Sequence, residues 1–373
     1  MRTALALLSG LVILVAPAAT AQADEPPPTL SIGATAPDFE LPGVDGETHR
    51  LKDFEAADIL VIVFTCNHCP TAQAYEERIQ KLASEYQERG VAVVAISPND
   101  PDALRLDELG YTDVSDSLEE MKIRAADREF TFPYLYDGDT QIVSRAYGPV
   151  ATPHVFVFDR QRKLRYTGRV DDNAKPDRVK VHDTRDAIEA LLAGRPVSVE
   201  KTKTFGCSVK WSDKRGSVQE ALDRWAKEPV TLETVNKQAV QDLLRNDSKN
   251  LRLVNVWATW CGPCVTEFPE LVTINRMYRH REFELITISA DAPDGKDRAL
   301  EFLKKQQASS KNYLFDADDQ YELIDAVDKE WQGALPYTVL LAPGGKTLYR
   351  KQGPIEPRAL KKAIADHLGR VYP

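Results

Sequence analysis

The stretch Val256-Trp257-Ala258-Thr259-Trp260-Cys261-Gly262-Pro263-Cys264-Val265-Thr266-Glu267-Phe268-Pro269-Glu270-Leu271 holds a C-x-x-C pair between two different hydrophobic patterns. The run before it, Leu253 to Ala258, is apolar and β-branched and reads as a buried parallel strand. After it, Phe268, Leu271, Val272 and Ile274 mark one face of a helix. Phe283-Glu284-Leu285-Ile286-Thr287-Ile288 then reads as a second strand. The result is a β-α-β unit with the cysteines at the strand-to-helix junction. Further on, Leu335-Pro336 precedes a strand (Tyr337 to Leu341), a short strand (Thr347 to Tyr349) and a closing helix (Pro357 to Leu368).

The same order occurs earlier in the chain. Ile59 to Thr65 leads into Cys66-Asn67-His68-Cys69, a helix carrying Ile79, Leu82 and Tyr86, and the strand Val91 to Ile96. Thr152-Pro153 precedes His154 to Phe158, Leu164 to Tyr166 and a helix from Asp183 to Leu192. Pro153 follows Cys66 by 87 positions and Pro336 follows Cys261 by 75, so the first copy is longer. The extra residues are expected in the polar stretch from Pro98 to Ala126, which includes a helix. The chain therefore reads as a tandem of one α/β architecture.

Strand, C-x-x-C, helix, then X-Pro opening a strand pair and a last helix resembles the thioredoxin fold, a central mixed sheet flanked by helices. The stretch from Val256 to Leu271 resembles the TlpA/ResA-type thiol–disulfide oxidoreductases, over about residues 228–373. The first half resembles the redoxin/AhpC-TSA branch over about 31–195. It carries Gly33-Ala34-Thr35-Ala36-Pro37-Asp38-Phe39-Glu40-Leu41, Thr65-Cys66-Asn67-His68-Cys69-Pro70 and Thr152-Pro153-His154. It lacks the P-x-x-x-T-x-x-C of that branch's peroxidases before either cysteine. The resemblance implies exchange of disulfides with protein clients. It also implies that Pro153 and Pro336 are the cis prolines beside the two sites, and that Glu267 takes the proton of the resolving thiol.

The chemistry is that of the thiolate, the attacking species in exchange. Backbone N–H groups and the dipole at a helix start stabilise such an anion. Cys66 and Cys261 are therefore expected there, exposed, with Cys69 and Cys264 in the first turn as resolving partners. His68 stands where DsbA-like oxidants have a histidine, and its imidazolium is expected to favour the Cys66 thiolate. The first pair would then be the more oxidising, drawing electrons from Cys261/Cys264. Cys207, outside both repeats, is a candidate relay thiol, or else a free thiol between domains.

Met1-Arg2, the apolar run to Ala19 and Ala21-Gln22-Ala23 read as a signal peptide removed after residue 23. No later segment approaches 18 uninterrupted apolar residues, so the remainder is expected to be soluble and exported, periplasmic or extracellular. The expected domain plan is 24–195, a linker at 196–215 with Cys207, and 216–373. The net charge is −9, and no basic cluster offers a phosphate footprint, which argues against nucleic acid. Pro70 and Val265 stand where haem attachment needs histidine, and no P-loop, H-E-x-x-H or G-x-S-x-G occurs. The redox groups are expected to be the cysteines themselves, with no other cofactor and no metal. The expected partners are protein thiols or disulfides and a thiol reductant or oxidant. Two other readings stay open: a thiol peroxidase acting at Cys66, and a non-enzymatic protein with structural disulfides or a bound metal.

Overall fold

The computed structural model describes residues 26–316, 320–328 and 330–373; the expected signal peptide lies outside the described residues. A small hairpin, β1 (Glu40–Pro42) with β2 (Thr48–Arg50), precedes the first repeat. That repeat runs β3 (Ile59–Phe64), α1 (Pro70–Tyr86), β4 (Val91–Ser97), α2 (Leu118–Asp127), β5 (Tyr134–Tyr136), α3 (Ile142–Tyr147), β6 (His154–Phe158), β7 (Leu164–Gly168) and α4 (Asp183–Leu192). Its five strands lie in the order β5-β4-β3-β6-β7. β3, β4 and β5 are parallel, while β6 runs antiparallel to both β3 and β7.

The continuous apolar run of β3 follows from its place in the sheet. Every residue of β3 is buried. Ile59, Val61 and Val63 point into one core, with Ile79, Leu82 and Tyr86 of α1 and Ala187 and Ile188 of α4. Leu60, Ile62 and Phe64 point into the other, with Phe39, Leu41, Val143 and Tyr147. Alternation along a strand places successive side chains on opposite faces, so a strand covered on both sides must be apolar throughout.

The second repeat begins with α5 (Arg215–Trp225), β8 (Glu233–Val235), α6 (Lys237–Arg245), β9 (Leu251–Trp257), α7 (Gly262–Tyr278) and β10 (Phe283–Ser289). It continues through α8 (Lys296–Lys305), β11 (Lys311–Phe315), α9 (Gln320–Val327), β12 (Tyr337–Leu341), β13 (Thr347–Gln352) and α10 (Pro357–Leu368). The sheet order is β13-β12-β9-β10-β11-β8, again mixed. Trp257 is buried against Phe268 and Phe302. Among the described residues, no helix is long and apolar enough to cross a membrane.

Two features go beyond the sequence reading, which placed the extra residues and the helix of the first repeat between Pro98 and Ala126, as observed. The segment read as a linker is fastened to the first domain: Thr167 bridges to Lys201 and Thr152 to Cys207, and Val209 and Trp211 are buried. The longer connection of the first repeat serves as a docking arm. Leu104 and Leu109 enter the core of the second domain. Thr112 O accepts from Tyr278 Oη at 2.6 Å, Gly110 O accepts from Arg281 Nη1 at 2.7 Å, and Arg370 pairs with Asp113 at 2.5 Å. Tyr278 closes the 17-residue α7, whereas Cys261 caps its start. At 1.5 Å per residue, about 25 Å of helix separates the second C-x-x-C from this interface.

Candidate functional site

In the second domain, Cys261 is the N-cap of α7, with an extended backbone, and its sulfur accepts from Cys264 N at 3.3 Å. Cys261 and Cys264 form a disulfide with their Cα atoms 5.3 Å apart. Pro263 occupies the first helical turn, where its missing N–H leaves no bond unmade. Gly262 and Pro263 are exposed and Trp260 is 59% exposed, so the rim of this disulfide faces solvent. One turn beyond Cys264 lies Glu267, which is buried. Asn255 Nδ2 donates to Oε1 at 3.0 Å and Ile355 N to Oε2 at 2.8 Å. Burial pushes the Glu267 carboxyl above its ordinary value, although both hydrogen bonds oppose the shift. The Leu335–Pro336 bond is cis.

The first domain is built differently. Phe64 stands opposite His154, the residue after Pro153, and Val256 stands opposite Tyr337, the residue after Pro336. Counting five residues on from each gives Cys69 and Cys261. Both are helix N-caps, and Cys69 accepts from Ala72 N at 3.4 Å just as Cys261 accepts from Cys264 N. Cys69 is thus the counterpart of Cys261, Ala72 of Cys264 and Tyr75 of Glu267. Cys66 has no thiol counterpart and aligns with Ala258. This corrects the expected placement of Cys66 at the helix start with Cys69 one turn inside. The Thr152–Pro153 bond is cis, and Thr152 Oγ1 lies 3.1 Å from Cys66 Sγ.

The expectation that both leading cysteines are exposed also fails: Cys66 is 2% exposed and Cys261 6%. Burial pushes the Cys66 thiol well up, helped by the neighbouring Cys69 and Asp116 charges. The favoured thiolate is Cys69. Burial alone would raise it, but hydrogen bonds from Cys207 and Cys66, the His68 charge and the Ala72 N–H bring it well below the ordinary value. His68 is buried, and its Nδ1 meets Asp116 Oδ2 at 2.5 Å. Burial opposes its protonation, yet Asp116 holds its pKa above the ordinary value.

Asp116 and Asn99 were invisible to the sequence reading. Asp116 accepts from Asn67 N, His68 N, His68 Nδ1 and Asn99 Nδ2, which fixes the whole Cys66–Cys69 loop. It lies 48 residues beyond His68, and no spacing rule links the two. Cys66, His68 and Asp116 bring ligand atoms within 4.8 Å of one another. The four donors already occupy the lone-pair positions of Asp116, so this group suits a structural ion pair better than a metal.

Cys207 completes the first site. Its backbone N–H donates to Cys69 Sγ at 3.3 Å, and its carbonyl accepts from Thr152 N at 3.0 Å. Cys66, Cys69, Ala72 and Cys207 pack as one cluster. Gly206 has φ +148°, and a Cβ there would sit 2.0 Å from Thr152 O, so only glycine lets the strand approach. Phe205 packs at a tilt against Tyr75, their ring centroids 6.1 Å apart, and Lys210 N donates to Asn99 Oδ1 at 2.8 Å. The first site is therefore roofed by its own chain, whereas the second is open.

Residues 32–167 match the AhpC/TSA family, and residues 229–367 match the Redoxin family. The chain is a tandem of these two related thioredoxin-fold domains. Over 138 residues it is 26% identical to the thiol-disulfide oxidoreductase ResA of Geobacillus thermodenitrificans, covering 36% of this chain and 68% of that protein. Over 137 residues it is 27% identical to the thiol:disulfide interchange protein HelX of Rhodobacter capsulatus, covering 36% of this chain and 70% of that one. A crystal structure of an uncharacterized conserved protein from Geobacillus kaustophilus is 39% identical, covering 49% of this chain and 93% of that one, with a TM-score of 0.44.

Proposed function

We propose that the protein is an exported thiol–disulfide oxidoreductase whose client chemistry runs through Cys261 and Cys264. The observation that carries this reading is a solvent-rimmed disulfide at a helix N-terminus with a buried, high-pKa carboxyl one turn below it. In the reduced state, the helix start and the Cys264 N–H stabilise the Cys261 thiolate. It attacks a client disulfide, forming a mixed disulfide and expelling one client thiolate. Glu267 takes the proton of the Cys264 thiol, and the Cys264 thiolate then attacks Cys261 Sγ. The second client sulfur leaves as a thiolate, and the protein returns to the disulfide state. Two protein thiols are oxidised and one client disulfide is reduced. The names of the ResA and HelX relatives support protein thiols and disulfides as the partner class.

Export rests on the leader-like residues 1–23 and on the redox chemistry of the cysteines. Electron exchange between the domains belongs to this reading in a restricted form. The docking arm meets the far end of α7, and exchange of Cys261 with a first-domain thiol is proposed to run between two chains or after the domains part. The reading is tested by following insulin reduction driven by dithiothreitol. The wild-type chain should accelerate it and Cys261→Ser should not. Equal acceleration by the variant would overturn the assignment.

A further inference from the structure

We propose that the redox couple of the first domain is Cys207 with Cys69, that Cys207 is the outer thiol of this couple and meets small disulfides, and that Cys66 stands outside the couple. This rests on the thiol-exchange reading and names the working residues of the site that the reading leaves unassigned.

Cys69 lacks a thiol partner one turn into its own helix. In the second domain the N-cap thiol pairs with the cysteine three positions on, whereas the matching position of the first domain is Ala72, which has no sulfur. Cys69 must find its partner elsewhere, and two thiols are near. Cys66 is sealed at 2% exposure and held against the Thr152 hydroxyl. Cys207 is only half-buried and comes from a strand lying antiparallel across Thr152. That strand presents its cysteine to Cys69 as a client peptide would, but it is part of the same chain. The fit is specific, because Gly206 passes the Thr152 carbonyl where no side chain could.

Protonation ties the two thiols into one unit that shares a single proton. The hydrogen bond to Cys69 pushes the Cys207 thiol up, so the proton of the pair rests on Cys207 and the negative charge on Cys69. Cys207 hands its proton to Cys69 and attacks an incoming disulfide, R–S–S–R, expelling RS⁻. Cys69 then loses that proton to RS⁻ and its thiolate attacks Cys207 Sγ, expelling the second sulfur, which is protonated from solvent. One Cys69–Cys207 disulfide forms and two RSH leave, so two electrons pass to the small disulfide.

The test uses the reduced full-length chain, oxidised with glutathione disulfide, alkylated and mapped by peptide mass spectrometry. The expected first-domain linkage is Cys69–Cys207, with Cys66 alkylated. Cys66→Ser should leave that linkage in place. Cys69→Ser should trap glutathione on Cys207, and Cys207→Ser should cut first-domain disulfide at least tenfold. Cys66–Cys69 as the main linkage in wild type, or no first-domain disulfide at all, would overturn the inference. The Cys261–Cys264 linkage in the same digest reports separately on the proposed function. If it too failed to form, that reading would fall with it.

Discussion

Replacing Gly206 by alanine should unlatch the strand over the first site. The new Cβ would lie 2.0 Å from Thr152 O and 2.8 Å from its carbonyl carbon, so one chain must retreat by more than an ångström. At that separation the 3.0 Å bond from Thr152 N to Cys207 O and the 3.3 Å bond from Cys207 N to Cys69 Sγ are both lost. The first is worth about 1 kcal/mol and the second, made to a charged sulfur, about 1.5–3 kcal/mol. Holding alanine at φ +148° would cost a further 1–3 kcal/mol or so, which the retreat relieves. The closed state thus loses about 3 kcal/mol, or roughly a hundredfold in the opening equilibrium. Cys69 is fully buried when closed, so its alkylation follows the open population. The rate of Cys69 carbamidomethylation, read by mass spectrometry, should rise about a hundredfold while the far-ultraviolet circular dichroism stays unchanged. An equal rate in wild type and variant would mean that the strand does not guard the thiolate.

Three further outcomes follow from the contacts. Glu267→Gln should slow disulfide reduction by about a hundredfold and remove a pH limb lying above the ordinary carboxylate range, measured as the pH profile of kcat/KM. Asp116→Asn keeps one acceptor oxygen but removes the charge and the oxygen that accepts from His68 Nδ1 and Asn99 Nδ2, and should cost about 3–5 kcal/mol in urea unfolding. The lowered Asp116 pKa stabilises the fold above the unfolded value and loses that contribution as pH falls through the folded one. The raised His68 pKa does so below its unfolded value and loses it as pH rises through the folded one. The gap between wild type and variant should therefore be widest between about pH 4 and 6.5. Arg370→Ala leaves Asp113, 2% exposed on its side chain, without its cation at the domain interface. It should cost about 3–5 kcal/mol and split the calorimetric unfolding into two transitions.

The tandem fold was legible because its signals are local. Apolar runs at Ile59 to Phe64 and Leu253 to Trp257, each followed by a helical stripe and later by X-Pro, fix strand and helix order without tertiary information. The alignment of the two sites was not, because C-x-x-C is spelled alike in both. Its position relative to the strand differs by three residues, and only the pairing of Phe64 with His154 and Val256 with Tyr337 reveals it. One local clue was present: Pro70 suits the first position of a helix, which makes Cys69 the cap. The strand carrying Cys207 was hidden by its polar composition. Isolated bridges, one glycine and the side chains of Val209 and Trp211 hold it, and none of these makes a periodic pattern. Asp116 acts across 48 residues through hydrogen bonds, a kind of contact that residue spacing does not encode.

On the proposed reading, the open Cys261 site, rather than the roofed first site, meets protein clients. The most direct test is to reduce the full-length Cys264→Ser chain, mix it with oxidised insulin, quench with acid and identify the cysteine joined to the client. The predicted product is a mixed disulfide through Cys261. A client joined mainly to Cys66, Cys69 or Cys207, with Cys261 left free, would contradict it.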